Sequence, residues 1–203
     1  MSSGAGGRPW RPDKLAAVTR RWIIAVVLVV LVAAGSGCGQ EKHRLEAKDE
    51  GLYLNIGPLL YQVQISRELN PRDTEDRAYV QGLSPADAKL KPDEVLFAVF
   101  MRVQNPTNKT QPAAQDYEIT DTQDKRFTPL ALPRSNPFSY QARNIAPQGL
   151  LPAANSAAAT GVIGQGSALI FKVTLASLAN RPLVLHIKNP KAPREEGAVD
   201  LDV

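Results

Sequence analysis

The sequence predicts an all-β fold: an immunoglobulin-like antiparallel β-sandwich preceded by an N-terminal hydrophobic helix that acts as a signal peptide or an anchor. Three observations lead to this prediction. Apolar residues recur with a period of two from residue 52 onward, Pro and Gly separate nearly all of these runs, and a basic segment followed by an apolar run opens the chain. Eight or nine short strands with turns at intervals of 8 to 15 residues are typical of a sandwich.

Four segments carry the strongest strand patterns. Residues 61–69 alternate Tyr61, Val63, Ile65, Arg67 and Leu69 with polar residues, which predicts a half-buried strand. Residues 95–105 are apolar on both faces, which predicts a central strand. In the other two segments we expect alternate residues to point inward: Leu169, Phe171, Val173 and Leu175 in 168–175, and Leu183, Leu185 and Ile187 in 183–187.

Weaker patterns complete the predicted fold. Further strand candidates are 52–56, 116–120, 126–130, 138–143 and 159–164. Two short helices are expected at 73–79 and 84–87, the second with Ser84 as its cap and Pro85 in its first turn.

The first 37 residues have the three parts of a secretion signal. Five basic residues precede an apolar run from Trp22 to Ala34, and small residues follow. The 13-residue run would reach only about 20 Å as a helix, short of a hydrocarbon core of roughly 30 Å, which favours a signal peptide. Extension through Gly39 and snorkelling of Arg20 and Arg21 keep an uncleaved anchor as the alternative. In both cases the basic side stays in the cytoplasm.

The only cysteine, Cys38, stands at the end of this leader. Gly35-Ser36-Gly37-Cys38 resembles the bacterial lipobox, in which the cysteine receives a diacylglycerol and becomes the mature N-terminus; the first position departs from the usual Leu. The resemblance implies lipid attachment at Cys38. The alternatives are an unmodified anchor or cleavage elsewhere. A single cysteine forms no intrachain disulfide, so the fold has to be stabilised by its core.

The basic character of the chain belongs to the leader. Of 24 Lys and Arg and 20 Asp and Glu, five basic residues and one acid precede Cys38, which leaves 19 of each sign in the rest. A neutral body is untypical of nucleic-acid binding, so we expect no nucleic-acid partner.

The sequence thus divides into four regions. They are a signal peptide or anchor (1–37), a charged linker (38–51), the sandwich (52–191) and a flexible C-terminal tail (192–203).

The order of pieces from about 52 to 188 resembles bacterial lipoprotein and secreted-protein families of unknown function that have an extracellular immunoglobulin-like domain, the immunoprotective extracellular group. The pieces are FAVFMRVQNPTNKT, ITDTQDKRFTPL, NIAPQGLLPAANS and GSALIFKV. The second piece has Gln123-Asp124 where a Gly would ease the turn. The resemblance implies a fold and an extracytoplasmic location and no particular activity.

Residues suited to catalysis are few. His43 lies in the linker, and we expect His186 to face away from the core. A hydrolase would have to use His186, but no Gly-x-Ser-x-Gly motif is present. The stretch 161–167 is glycine-rich but precedes a strand and not a helix, which indicates a turn. We therefore expect no enzyme activity and no cofactor.

Acidic residues are the only candidate metal ligands. Weak calcium binding would require convergence of the acids of one of two groups, whose spacing does not match an EF-hand. The groups are Asp116, Glu118, Asp121 and Asp124, and Asp73, Glu75 and Asp76. A solvated face is the simpler interpretation.

A binding role is the remaining hypothesis. The connection 146–158 carries Leu150 and Leu151 as a candidate docking site, and an edge strand could accept a partner strand. If both leucines are buried, the hydrophobic docking site is lost. We expect a domain outside the cytoplasm, tethered to the cell membrane by a lipid or a single span, that binds an unknown envelope protein or has a structural role.

Overall fold

The computed structural model describes residues 43–161 and 166–201. The leader, the candidate lipidation site Cys38 and part of the predicted strand 159–164 therefore lie outside the described residues. No helix in the described part is long and apolar enough to cross a bilayer.

Strands dominate the described residues, and helices are limited to a few short turns. The strands are β1 (Glu46–Ala47), β2 (Tyr53–Ile56), β3 (Leu59–Leu69), β4 (Glu94–Gln104), β5 (Gln111–Pro112), β6 (Tyr117–Thr120), β7 (Arg126–Phe127), β8 (Asn144–Ile145), β9 (Leu150–Leu151), β10 (Ser167–Thr174), β11 (Leu183–Asn189) and β12 (Ala192–Leu201). The helices are α1 (Thr74–Tyr79), α2 (Pro85–Ala88), α3 (Ala157–Thr160) and α4 (Leu175–Ala179).

Two larger sheets contain most of these strands. The first sheet has the order β1-β12-β11-β6-β7, and the second has the order β10-β4-β3-β2, with β9 also paired to β4. All pairs in both sheets are antiparallel except the parallel contact of β1 with β12. A third, two-stranded sheet joins β5 to β8.

The first core lies between the two larger sheets. Alternate side chains of β11, Leu183, Leu185 and Ile187, are fully buried against residues of the second sheet such as Phe97 and Val99. The predicted inward face of β11 is thus confirmed. Face-to-face packing of two antiparallel sheets over one apolar layer makes this fold a β-sandwich.

A second core covers half of the outer face of the second sheet. Leu96, Ala98 and Phe100 of β4 contact Tyr79 of α1 and partly buried apolar residues from 80–90 and 130–138. The Tyr79 ring meets the rings of Phe100 and Phe138 edge-on, each with centroids 5.0 Å apart. The prediction that β4 is central and apolar on both faces is therefore confirmed.

Both short helices occur where the sequence predicts them. The Asp73 carboxylate caps α1 by accepting the Glu75 N–H, and the Ser84 hydroxyl caps α2 by accepting the Asp87 N–H. Each cap satisfies a backbone donor that has no partner within its helix.

The predicted alternation of 61–69 is wrong beyond Val63. A β-bulge between Val63 and Ile65 adds a residue opposite β4, so Ser66 turns toward the interior while Ile65 joins the second core. One inserted residue reverses every later side chain because the side-chain period of a strand is two.

Three further expectations are corrected. Leu175 is 48% exposed because it begins α4, which Thr174 caps, and does not continue β10. Residues 138–143 make only an isolated bridge, Ser139 to Ala168, and no strand. The helical turn α3 (Ala157–Thr160) includes the first two residues, 159 and 160, of the region predicted as strand 159–164.

The predicted tail and linker are also largely structured. Ala192–Leu201 is a ten-residue strand, because its Gly197, Val199 and Leu201 supply buried positions opposite Ile187, Leu185 and Leu183. The linker is folded from Arg44, whose carbonyl accepts the Asn55 N–H, and the Leu45 carbonyl accepts the Ala198 N–H. The charge composition of these two segments did not predict that they fold, because each contributes only a few apolar residues to a core formed by other strands.

Two buried asparagines hold the connecting loops together. Asn105, fully buried at the end of β4, places its amide nitrogen 2.8 to 3.0 Å from the carbonyls of Lys109, Ile145 and Ala146. Asn136 does the same for the carbonyls of Ala78, Tyr79 and Gln81 at the end of α1. A buried amide can satisfy loop carbonyls that have no strand partner.

Two substitutions in β4 test its role in both cores. Phe97→Ala empties a site in the first core and Phe100→Ala a site in the second, so each is expected to lower the free energy of unfolding by about 3–5 kcal/mol in a denaturant titration. Leu52→Ala, at a residue that is 37% exposed, is the control and should change it by less than about 1 kcal/mol. A near-neutral Phe100→Ala would mean that the second core contributes nothing to stability.

Candidate functional site

The proposed docking leucines are separated by the structure. Leu151 is 4% exposed and belongs to the first core, while Leu150 is half-buried on the outer face of the second sheet. The two residues point to opposite faces because they are neighbours in β9, which pairs with β4 at Val103 and Gln104. Leu151 is therefore not available to a partner, and the paired-leucine docking site is corrected to Leu150 alone.

His186 faces away from the core, as predicted, and lies in a short polar chain. Its Nε2 is 2.8 Å from the Thr120 hydroxyl, and its Nδ1 is 2.5 Å from Oε1 of Glu196. Hydroxyl, imidazole and carboxylate thus follow each other in the order used by nucleophilic hydrolases.

The surroundings of this chain differ from those of a hydrolase. β11 and β6 are interior strands, each paired on both sides, so their backbone N–H groups are used by the sheet and do not point toward the Thr120 hydroxyl. Stabilising an oxyanion requires free donors aimed at one point. The contacts instead join three neighbouring strands, as other polar cross-strand pairs do.

The acids near the β6–β7 hairpin have structural partners. Glu118 pairs with Arg126 at 2.8 Å, and Asp116 lies 3.4 Å from the Lys188 ammonium. Oδ1 of Asp121 accepts the N–H groups of Gln123 and Lys125, which closes the turn. Asp124 has a φ of 60°, a conformation that Asp tolerates better than most residues, so no glycine is needed there.

The second acid group contains a buried ion pair. The Asp76 carboxylate binds the Arg67 guanidinium and accepts the Asn70 N–H at 2.7 Å. Burial by itself would raise the pKa of Asp76, but the hydrogen bonds and the Arg67 charge outweigh it and lower that pKa. Asp76 therefore contributes stability above the pKa of an unfolded Asp, and this contribution is lost as the pH falls through the folded value.

Neither group of acids converges on a point. Across residues 43–161 and 166–201, no three His, Cys, Asp or Glu side chains are placed to hold a metal ion. His43, the first described residue, has its Nε2 3.9 Å from Oε1 of Glu195. The calcium hypothesis therefore has no geometric support among these residues.

Three tyrosines surround Ala114 beside a cleft. Tyr61 accepts the Ala114 N–H and Tyr140 donates to the Ala114 carbonyl, each at 2.8 Å, while the Tyr117 ring packs edge-on against Tyr140. Burial raises the pKa of Tyr61 to about 12 and raises those of Tyr117 and Tyr140 as well. The adjacent cleft, of about 220 Å³, is lined by Tyr117, Tyr140, Leu130 and Gln141 among others. Neutral tyrosines that support a loop backbone have a structural role.

No residue in the part of the chain that the structure describes forms a covering layer over the other half of the outer face of the second sheet. We call this half the uncovered face; its members are Tyr53, Asn55, Leu60, Gln62, Arg102, Gln104 and Leu150. Tyr53, Gln62 and Arg102 form one row across β2, β3 and β4, and Asn55, Leu60, Gln104 and Leu150 form the next row across β2, β3, β4 and β9. The second core ends at the bulge near Ile65, where this face begins.

Three polar groups of the uncovered face lack partners within the described chain. The Tyr53 hydroxyl, the Arg102 guanidinium and the Gln104 amide make no hydrogen bond or ion pair among the described residues. Together with Leu150 they line a shallow depression of about 20 Å³. Tyr53 is 47% exposed, and the seven side chains include one cation and no carboxylate.

The outer face of the first sheet is different. Its charged residues are paired with one another: Glu118 with Arg126, Lys188 with Asp116, His186 with Glu196 and Lys48 with Asp200. The charged side chains of this face pair with one another, whereas the side chains of Tyr53, Arg102 and Gln104 on the uncovered face have no partner among the described residues. Of the uncovered face, the sequence pattern indicated only the outward glutamines of β3. It did not indicate how far the face extends, because that depends on the bulge.

Comparisons with known proteins identify no family. No protein-family model matches the chain, and no curated protein is significantly similar to it. The yjhA protein from Bacillus subtilis matches with a TM-score of 0.45 at 8% identity, over 76% of this chain and 99% of its own. An uncharacterized beta-sandwich protein from Clostridium difficile 630 matches with a TM-score of 0.43 at 9% identity, over 80% of this chain and 99% of its own. The fold assignment rests on the strand pairing of the chain itself.

A chemical probe distinguishes a polar contact from a catalytic one at Thr120. We expect a fluorophosphonate, which adds covalently to activated hydroxyl nucleophiles, to leave the intact mass of the protein unchanged. Thr120→Val should change the free energy of unfolding by about 1 kcal/mol or less, since His186 is half-buried and can turn to water. An adduct on Thr120 that disappears in His186→Gln would instead reveal an activated nucleophile.

Proposed function

We propose that this protein is a membrane-tethered, extracytoplasmic immunoglobulin-like domain, a lipoprotein attached through Cys38, with a non-catalytic role in binding or in the structure of the cell envelope. The observation that carries the proposal is how soon the folded domain begins after Cys38. Arg44 and Leu45 already make backbone hydrogen bonds to β2 and β12. Five residues of sequence, 39–43, separate Cys38 from Arg44, and we call them the tether.

A tether of this length keeps the domain close to the bilayer. The six steps from Cys38 to Arg44 span at most roughly 20 Å when fully extended. The body carries equal numbers of acidic and basic residues, so it has no net charge to draw it onto anionic lipid headgroups. A lipid on Cys38 would then supply the attachment of the mature chain to the membrane.

The immunoglobulin-like assignment is supported by the arrangement of the sheets. Two antiparallel sheets share one core, and strands distant in sequence are neighbours, such as β4 with β10 and β6 with β11. The resemblance of the segments from 52 to 188 to secreted families with this fold points the same way.

A non-catalytic role is supported by the Thr120, His186 and Glu196 chain. It lies on a strand-paired sheet surface whose backbone donors are already used, so it has no site for an oxyanion. The unpaired polar groups of the uncovered face favour binding over a purely structural role.

Intact mass of the membrane-extracted protein tests the tether. The wild type is expected to begin at Cys38 and to be heavier than the bare chain by its acyl groups, while Cys38→Ser should retain the leader or be cleaved without acylation. The mature protein should also lack tryptophan fluorescence, because Trp10 and Trp22 both precede Cys38. An unprocessed, unacylated mass in both proteins would contradict lipidation and indicate the alternative, an uncleaved single-span anchor carrying a binding module.

A further inference from the structure

We infer that the uncovered face binds an extended polysaccharide that carries carboxylate groups; this inference rests on the proposed binding role and specifies its partner. The face presents one unpaired guanidinium, one unpaired amide and one unpaired phenol hydroxyl on a rigid sheet. Their chemistry and their spacing set the requirements for the ligand.

The charge of the face requires an anionic group. Arg102 is the one cation among the seven side chains, none of which is a carboxylate. A guanidinium presents a planar set of donors that fits a carboxylate with two parallel hydrogen bonds. Arg126, on the opposite sheet, already has this kind of partner in Glu118, whereas Arg102 has none among the described residues.

The remaining polar groups suit hydroxyls. The Gln104 amide can donate and accept at the same time, and so can the Tyr53 hydroxyl, as the hydroxyl groups of a sugar ring also do. The exposed ring of Tyr53 offers a flat apolar surface, and Leu60 and Leu150 add half-buried aliphatic carbon beside it. A hydroxylated ring has both apolar faces and polar edges, which this mixture can contact together.

The shape of the face favours a long ligand that lies flat over one that enters a pocket. The depression between Tyr53, Arg102, Gln104 and Leu150 holds about 20 Å³, the size of one small group. The two rows cross three and four strands spaced about 4.8 Å apart, so the contact surface is about 10 to 15 Å across.

A protein partner is the less suitable occupant of this face. Stable protein interfaces are centred on aromatic or aliphatic anchors that fill pockets, and the depression is too small for such an anchor. Strand addition uses the backbone of a sheet edge, whereas the unpaired groups of the uncovered face are side chains; Arg102 and Gln104 lie on the interior strand β4, and Tyr53 lies on β2, the end strand of the sheet.

The experiment compares three polymers on the full-length protein in detergent micelles at physiological ionic strength. The probes are polygalacturonate, the same polymer with its carboxylates methyl-esterified, and polyglutamate as an acidic peptide of similar charge. Wild type is expected to bind polygalacturonate at least about tenfold more tightly than either other probe. Because affinity is measured in solution, the result does not depend on whether Cys38 is lipidated.

Variants place the binding on the uncovered face. Arg102→Gln should weaken polygalacturonate binding about tenfold or more and should leave no difference between the acidic and the esterified polymer. Tyr53→Ala and Gln104→Ala, both at the surface, should weaken binding to both forms. Arg126→Gln, the matched loss of one arginine from the first sheet, should stay within about twofold of wild type.

Four outcomes would overturn the inference. These are no measurable binding of polygalacturonate, an equal loss from Arg126→Gln and Arg102→Gln, retained discrimination between the two polymer forms in Arg102→Gln, and tighter binding of polyglutamate than of the polysaccharide. The last would assign the face to an acidic protein partner. None of these four outcomes bears on the lipidation of Cys38, which the intact-mass experiment tests separately.

Discussion

The structure depends on burying both faces of a single strand. Residues Leu96 to Met101 of β4 are at most 1% exposed, with odd-numbered side chains in the first core and even-numbered ones in the second. Because residues Leu96 to Met101 offer no polar position on either face, this part of the strand has to be covered on both sides, and the sandwich covers only one of them. The helix α1 and the segments 80–90 and 130–138 supply the additional layer. The buried Asn136 holds this layer in place because its side-chain amide donates hydrogen bonds to three carbonyls at the end of α1.

This extra layer stops at the bulge in β3, where the uncovered face begins. Beyond the bulge the outward residues of β3 and β4 change from Ile65 and Phe100 to Gln62 and Arg102, which water or a polar ligand can satisfy. The same outer face is thus structural at one end and open at the other. Opposite it, the first sheet pairs its charges internally, including the His186 and Glu196 contact that resembles part of a catalytic triad.

Sequence patterns predicted the elements whose information is local. Alternation in β11, two-sided apolarity in β4, and the caps Asp73 and Ser84 all follow from residues adjacent in the chain. The missed features are those set by distant residues. A bulge reversed β3 beyond Val63, Leu151 was buried by pairing with β4, and the supposed tail became β12 because it pairs with β11. The uncovered face combines residues from four strands, so no single segment contained its pattern.

Labelling of introduced cysteines on intact cells most directly tests the proposal that the domain lies outside the cytoplasm with its uncovered face open to solvent. A membrane-impermeant maleimide should label Tyr53→Cys as well as Lys48→Cys, whose native side chain is 78% exposed, and should leave Val63→Cys, in the first core, unlabelled. Protein without an introduced cysteine gives the background from Cys38. Labelling of Tyr53→Cys and Lys48→Cys only after lysis would place the domain in the cytoplasm. Labelling of Lys48→Cys alone would show that the face is covered. Either result would contradict the account.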